Sequence, residues 1–233
     1  MRIYSGENLE IKFDSALCEC VEKAVLNFNF GIGRVQSLLG CSAQEIGKVK
    51  ASFFTKREEF ISYIKTKMAP CDELPPDWAT GCFYGGESQI LINPADEEDV
   101  SRRKYTLLHE AIHLYVQKAI YEKFDVERIV WFDEAIAGFL DKHSEKYTQQ
   151  EWKNLAIKLK PVAKGFDMNK LNDFSIVKTS EYDGYDMFLL IGKFMIGTNL
   201  IKDFLETIKS NPDKIREEGL TILQKAVEYV EHI

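Results

Sequence analysis

"TLLHEAIHLYVQ", residues 106–117, sets His109 and His113 four positions apart, with Glu110 directly behind the first. The chain has 4 histidines in all, so half of them fall in this one stretch. Leu107, Leu108, Ala111, Ile112, Leu114, Tyr115 and Val116 surround them and predict a helix. Positions i and i+4 share a helix face, about one turn apart. Two imidazoles so placed can both reach a zinc ion, whose Zn–N bonds are about 2.0–2.1 Å. Glu110 sits roughly 100° around the helix from His109, off the ligand face but within reach of a water on the metal. This is the HExxH arrangement, two ligands plus a general base.

A catalytic zinc takes three protein ligands plus water, so a bare HExxH needs a third donor. In one HExxH class that donor is a histidine six residues after the second, with a glycine at the third. Here those positions hold Ala119 and Val116, which excludes that class. His143 and His232 lack local context and read as surface residues. The remaining stretch is "IVWFDEAIAGFLDKH", 129–143, where Asp133 and Glu134 lie embedded between Trp131-Phe132 and Ala135-Ile136. Carboxylates in such a setting are costly to bury unless paired or metal-bound. Glu134 follows His113 by 21 residues. That separation suits a helix, a turn and an antiparallel return helix bringing Glu134 alongside the metal. Asp133 reads either as a helix N-cap or as an orienting partner for a ligand histidine.

Together, His109-Glu110-Ala111-Ile112-His113 and Trp131-Phe132-Asp133-Glu134-Ala135-Ile136-Ala137 resemble the gluzincin zinc metallopeptidases, whose pattern is HExxH followed by W-[LF]-x-E-[GA]-x-A on the next helix. The short chain is similar to the minimal, peptidase-MA-like members. The resemblance implies a zincin-like fold, with Zn²⁺ held by His109, His113 and Glu134, and Glu110 as general base. It also implies an edge strand that takes extended peptide substrate as an added strand. "GCFY" (81–84) looks like that strand, giving Gly81, Cys82, Phe83 and Tyr84 as substrate-binding residues; an ordinary hairpin is the other reading. Downstream, "EYDGYDMFLLIGKF" offers a tyrosine to stabilise the oxyanion, Tyr185 first and Tyr182 as the fallback; core packing is the other reading. The G-x-M-E-N stretch of the larger aminopeptidases is absent from the sequence, which leaves endopeptidase action as the default. A metal-binding module without turnover and an amide hydrolase on a non-peptide substrate are the alternatives.

Outward from these motifs the chain reads as two halves. "LEIKFD" (9–14), "KVKASFF" (48–54) and the hairpin "GCFYGGESQILIN" (81–93) read as strands. Between them lie a helix over 15–40, opening on a Ser15 cap and ending at Gly40, and one over 55–67 capped by Thr55, followed by a proline-rich loop over 68–78. After Pro94 apolar residues recur at helical spacing, predicting helices over about 98–123, 127–143, 148–160, 180–197, 199–209 and 218–231. The expected fold is therefore α+β. An N-terminal α/β subdomain, 1–123, carries a small twisted sheet and the HExxH helix, and an all-helical subdomain, 124–233, carries the third ligand.

Composition bounds the rest. With 233 residues and 45% hydrophobic content the chain can bury a sizeable core. A net charge of −7, and no Lys/Arg run longer than three, argue against a nucleic-acid partner. No apolar run reaches the roughly 18–20 residues of a membrane span. The 5 cysteines show no CxxC spacing. With no apolar signal core at the start, they lead to the expectation of reduced thiols in a cytoplasmic protein. The sequence leaves the oligomeric state open.

Overall fold

The computed structural model describes all residues except 68–74, 76, 78, 85, 142–144, 146, 174 and 175. Most of the expected proline-rich loop over 68–78, Gly85 of the hairpin turn and His143 lie outside the described residues. The architecture is α+β, a small five-stranded sheet in a mostly helical chain. The chain divides into two compact units, Met1–Tyr115 and Val116–Ile233.

The first unit is built on the sheet. Its strands are β1 (Arg2–Ser5), β2 (Leu9–Phe13), β3 (Val49–Phe54), β4 (Gly81–Tyr84) and β5 (Glu87–Leu91), in the order β1-β2-β3-β5-β4. The β2–β3 and β3–β5 pairs are parallel; β1 and β4 join antiparallel at the two edges. β2 alternates strictly, with Leu9, Ile11 and Phe13 buried, as a strand covered on one face should. In β3, Ala51, Ser52 and Phe53 are buried in succession, the mark of a central parallel strand covered on both faces. β1 has mostly exposed side chains and no apolar alternation, so its pattern is invisible to a reading by period.

Helix α1 (Cys18–Leu39) connects β2 to β3 and ends at Gly40, whose φ of 64° and N–H bond to the Gln36 carbonyl close it as expected. Its start differs. A short 3-10 turn, Ser15–Leu17, precedes it, and Asp14 rather than Ser15 caps that turn, accepting from the Ala16 N–H. A further short helix, α2 (Ala43–Ile46), carries a Ser42–Glu45 capping box. Helix α3 (Arg57–Lys67) lays Phe60 and Ile64 against Phe54, Cys82, Tyr84 and Leu91 of the sheet. The long helix expected from about residue 98 is broken. α4 (Glu97–Arg103), capped by Asp96, ends in a turn at Lys104-Tyr105 before α5 (Thr106–Val116) begins. The physical reason is a change of environment: α4 buries no residue, whereas α5 is buried nearly all round.

The second unit is helical. A π-helical stretch, Gln117–Glu122, opens it, and α6 (Val130–Leu140), α7 (Gln149–Ala163), α8 (Gly184–Gly197), α9 (Leu200–Ser210), α10 (Pro212–Glu218) and α11 (Ile222–Glu231) follow. The helix expected over 180–197 starts later, at the Asp183 cap. α10 is an extra helix, started by Asn211 capping and Pro212 in the first turn. α6 and α8 pack face to face, and Gly192 of α8 lies against the Ala135 carbonyl and Phe139. Trp131, Phe132 and Phe204 form an aromatic cluster with ring centroids 5.9–6.4 Å apart. Among the described residues, no helix is long and apolar enough to cross a membrane.

Candidate metal centre

In α5 the side chains of Leu107, Leu108, Ala111, Ile112, Tyr115 and Val116 are fully buried, so the helix is apolar on most sides. A helix so enclosed has little room for polar groups, yet it carries two histidines and a glutamate. His113 and Glu110 are each 6% exposed, and His109 is half-buried. Buried ionisable groups are retained only where partners or a ligand offset their desolvation. The two imidazole rings stand 4.9 Å apart, nearly perpendicular, on one face of the helix.

Glu110 owes its place to Gly81. A Cβ added at Gly81 would collide with Glu110 Oε1 and lie within 2.7 Å of Thr106 Cγ2. The first residue of β4 is thus packed against the carboxylate and leaves no space for even a methyl group. Among the described residues β4 is an edge strand of the sheet, paired with β5. The Leu91 N–H donates to the Thr80 carbonyl at 2.7 Å, and Cys82 and Tyr84 lie opposite Gln89 and Glu87. Antiparallel pairs alternate, so the backbone N–H and C=O of Gly81 and Phe83 point away from β5, toward the open edge. On the opposite face of the strand, Cys82 and Tyr84 turn toward Phe60 and Ile64.

In α6 every residue from Val130 to Ala137 is buried, including Asp133 and Glu134. Ile129 occupies the cap position without a side-chain bond, so Asp133 is not the helix cap. Instead, both acids meet Arg128, just ahead of the helix. Its Nε donates to Asp133 Oδ2 at 2.5 Å and its Nη2 to Glu134 Oε1 at 3.0 Å. Burial works to lower the pKa of Arg128, but the neighbouring Asp133 and Glu134 carboxylates outweigh it and raise the value, so the guanidinium stays charged. Sequence reasoning passed over Arg128. The signal was present, since two acids inside an apolar helix need a cation nearby, but a spacing of five and six residues matches no helical period. Tyr121, which donates to the Ile129 carbonyl at 3.3 Å, has its pKa raised well above the usual range, chiefly by burial and then by Asp133.

His109, His113 and Glu134 each offer a donor atom, and these atoms all lie within 4.8 Å of one another. Two imidazole nitrogens and a carboxylate oxygen suit a divalent transition metal, and zinc in catalytic sites uses such sets. The burial of His113 and Glu134 fits the same role, because a metal ligated there would offset the cost of enclosing them. The two candidate tyrosines lie on either side of the start of α8. Tyr185 is half-buried, with its ring 5.7 Å from Phe188 and the Lys178 ammonium 5.6 Å over its face. Tyr182 precedes the helix and packs on Phe166 at 5.1 Å, while its N–H donates to Thr179 Oγ1. His232 is exposed at the end of α11. No protein-family model matches the chain, and no curated protein matches it.

Proposed function

We propose that the chain is a zinc-dependent metallopeptidase of the gluzincin type, zincin-like in fold, that hydrolyses peptide bonds in extended segments. The observation that carries the reading is the grouping of His109, His113 and Glu134 around one point, with Glu110 buried beside the first residue of an open edge strand. His109, His113 and Glu134 hold the metal. A zinc ion held by them would supply Lewis-acid chemistry, making a water more acidic and a carbonyl more electrophilic.

The protein's own groups do the remainder. The outward N–H and C=O of Gly81 and Phe83 bind the substrate backbone as an added strand. Because Gly81 touches Glu110, a peptide registered on that residue lies next to the carboxylate. Glu110 takes a proton from the attacking water and passes it to the leaving amine. The hydroxyl of Tyr185, or of Tyr182, donates to the oxyanion formed on carbonyl attack. Arg128 backs Glu134 through the bond from its Nη2 to Oε1.

The test pairs metal analysis with turnover. Purified wild type is expected to hold about one zinc per chain, and Glu134→Ala to lose most of it. Glu110→Gln is expected to keep the zinc and lose about 10²–10⁴-fold in peptide cleavage, the usual contribution of a general base. Equal zinc in wild type and Glu134→Ala would remove Glu134 from the ligand set. Equal cleavage by wild type and Glu110→Gln would remove the assigned base.

A further inference from the structure

Glu134 does not stand alone. Asp133 beside it is 2% exposed and Glu134 itself 4%, and one guanidinium serves both. Two adjacent buried carboxylates repel each other and are costly to desolvate without a counter-cation. Arginine suits the task because its planar fork sends separate N–H groups to separate acceptors. Here Nε is committed to Asp133 Oδ2 and Nη2 to Glu134 Oε1, which pins the Glu134 carboxylate through one oxygen. That oxygen faces a permanent positive charge, and a metal cation drawn to the same atom would meet Coulomb repulsion.

We infer that Arg128 is a positioning residue for the metal centre, holding Glu134 to single-oxygen ligation through Oε2. The inference rests on the metal reading above and adds to it the coordination number. With one oxygen from Glu134 and one nitrogen from each histidine, a fourth position is left for water. Without Arg128, the Glu134 carboxylate turns about its last torsion and chelates through both oxygens, crowding that position.

Cobalt(II) replaces zinc in such sites and reports coordination number through its visible absorption, intense when four-coordinate and weak at five or six. The experiment titrates the full chain with Co²⁺, as wild type, Arg128→Lys, Asp133→Asn and the double variant Arg128→Ala/Asp133→Asn, with circular dichroism to establish folding. The double variant removes one charge of each sign, so the net charge of the trio is unchanged and one buried carboxylate remains in place of two. Wild type and Asp133→Asn, which keeps the Arg128–Glu134 pair, are expected to show the intense four-coordinate spectrum. Arg128→Lys and the double variant are expected to bind Co²⁺ about 10–100-fold more weakly, the usual effect of losing an outer-shell partner, and to show the weak spectrum. Wild-type affinity and spectrum in those two variants would overturn the inference, as would an equal change in Asp133→Asn alone. A wild type that takes up neither Co²⁺ nor Zn²⁺ would overturn the metal reading itself.

Discussion

At Gly81 the difference between a hydrogen atom and a methyl group decides where Glu110 sits. A methyl there meets both the carboxylate and Thr106, and the backbone of a paired strand has little freedom to retreat. Gly81→Ala is therefore expected to displace the carboxylate while leaving the histidines alone. Misplacing a catalytic group by about 1 Å can cost about 10²-fold, so kcat on a peptide substrate should fall on that order with zinc content unchanged. Unchanged turnover would mean that Glu110 is not the base or that the strand yields. Cys20 offers a separate, pH-based check. Burial, then the Asp99 carboxylate, pushes its thiol up to about 11 from an ordinary value of 9.0. The folded state thus favours the neutral thiol. Its stabilisation is whole below about pH 9 and drains away as the pH climbs toward 11. Urea midpoints for wild type should drop across that window more steeply than those of Cys20→Ala; parallel profiles would sink the idea. At this scale the grouping of His109, His113 and Glu134 was legible in the sequence, the histidines because helical spacing turns a string into a face and Glu134 because the second motif follows the first. Arg128 was not, since it reaches back from a loop whose path no local pattern encodes.

Glycines inside helices test how the elements pack. In α8, a Cβ at Gly192 would press on the Ala135 carbonyl and Phe139 Cβ, both at the backbone of α6. Alanine gains about 1 kcal/mol in helix propensity over glycine, but overpacking against rigid atoms typically costs about 1–3 kcal/mol. Gly192→Ala should therefore destabilise on balance, read as a lower denaturation midpoint. In α1, Gly31 abuts the far end of the Leu108 side chain, which can change rotamer. Gly31→Ala should cost less than Gly192→Ala, and the reverse order would show that the two contacts have been misjudged. The strands β2 and β3 and helices α1, α3 and α6 could be read from period, and the end of α1 from Gly40. The break between α4 and α5 could not, because apolar spacing continues across it without glycine or proline. Nor could β1, whose pairing is backbone chemistry beneath exposed side chains. α10 had its signal in Asn211-Pro212, a cap and a first-turn proline.

For the molecule as a whole, bound metal should count toward stability. A ligand that binds only the folded state adds about 2.7 kcal/mol at a hundred times its Kd. Stripping the protein with a chelator is expected to lower its thermal midpoint, and returning zinc to restore it, with Glu134→Ala insensitive to both treatments. A midpoint indifferent to chelator would argue that no folded-state metal exists. Composition placed the chain among folded, acidic proteins, and the order of predicted strands and helices pointed to an α+β arrangement. Which side chains would converge on one point was a matter of tertiary structure, inferable only because two motifs occurred in order.

The rim of the sheet has a last consequence. Within β4, Gly81 and Phe83 are the residues whose backbone groups turn outward, so the docking ledge proposed above is two residues deep, with Glu110 against its first residue. A compact, hydrogen-bonded region of another protein has no spare amides to lay along so short a shelf; a frayed terminus or a slack loop does. The enzyme proposed here would then discriminate by conformation ahead of sequence, sparing native targets and cutting the same chains once they have come undone.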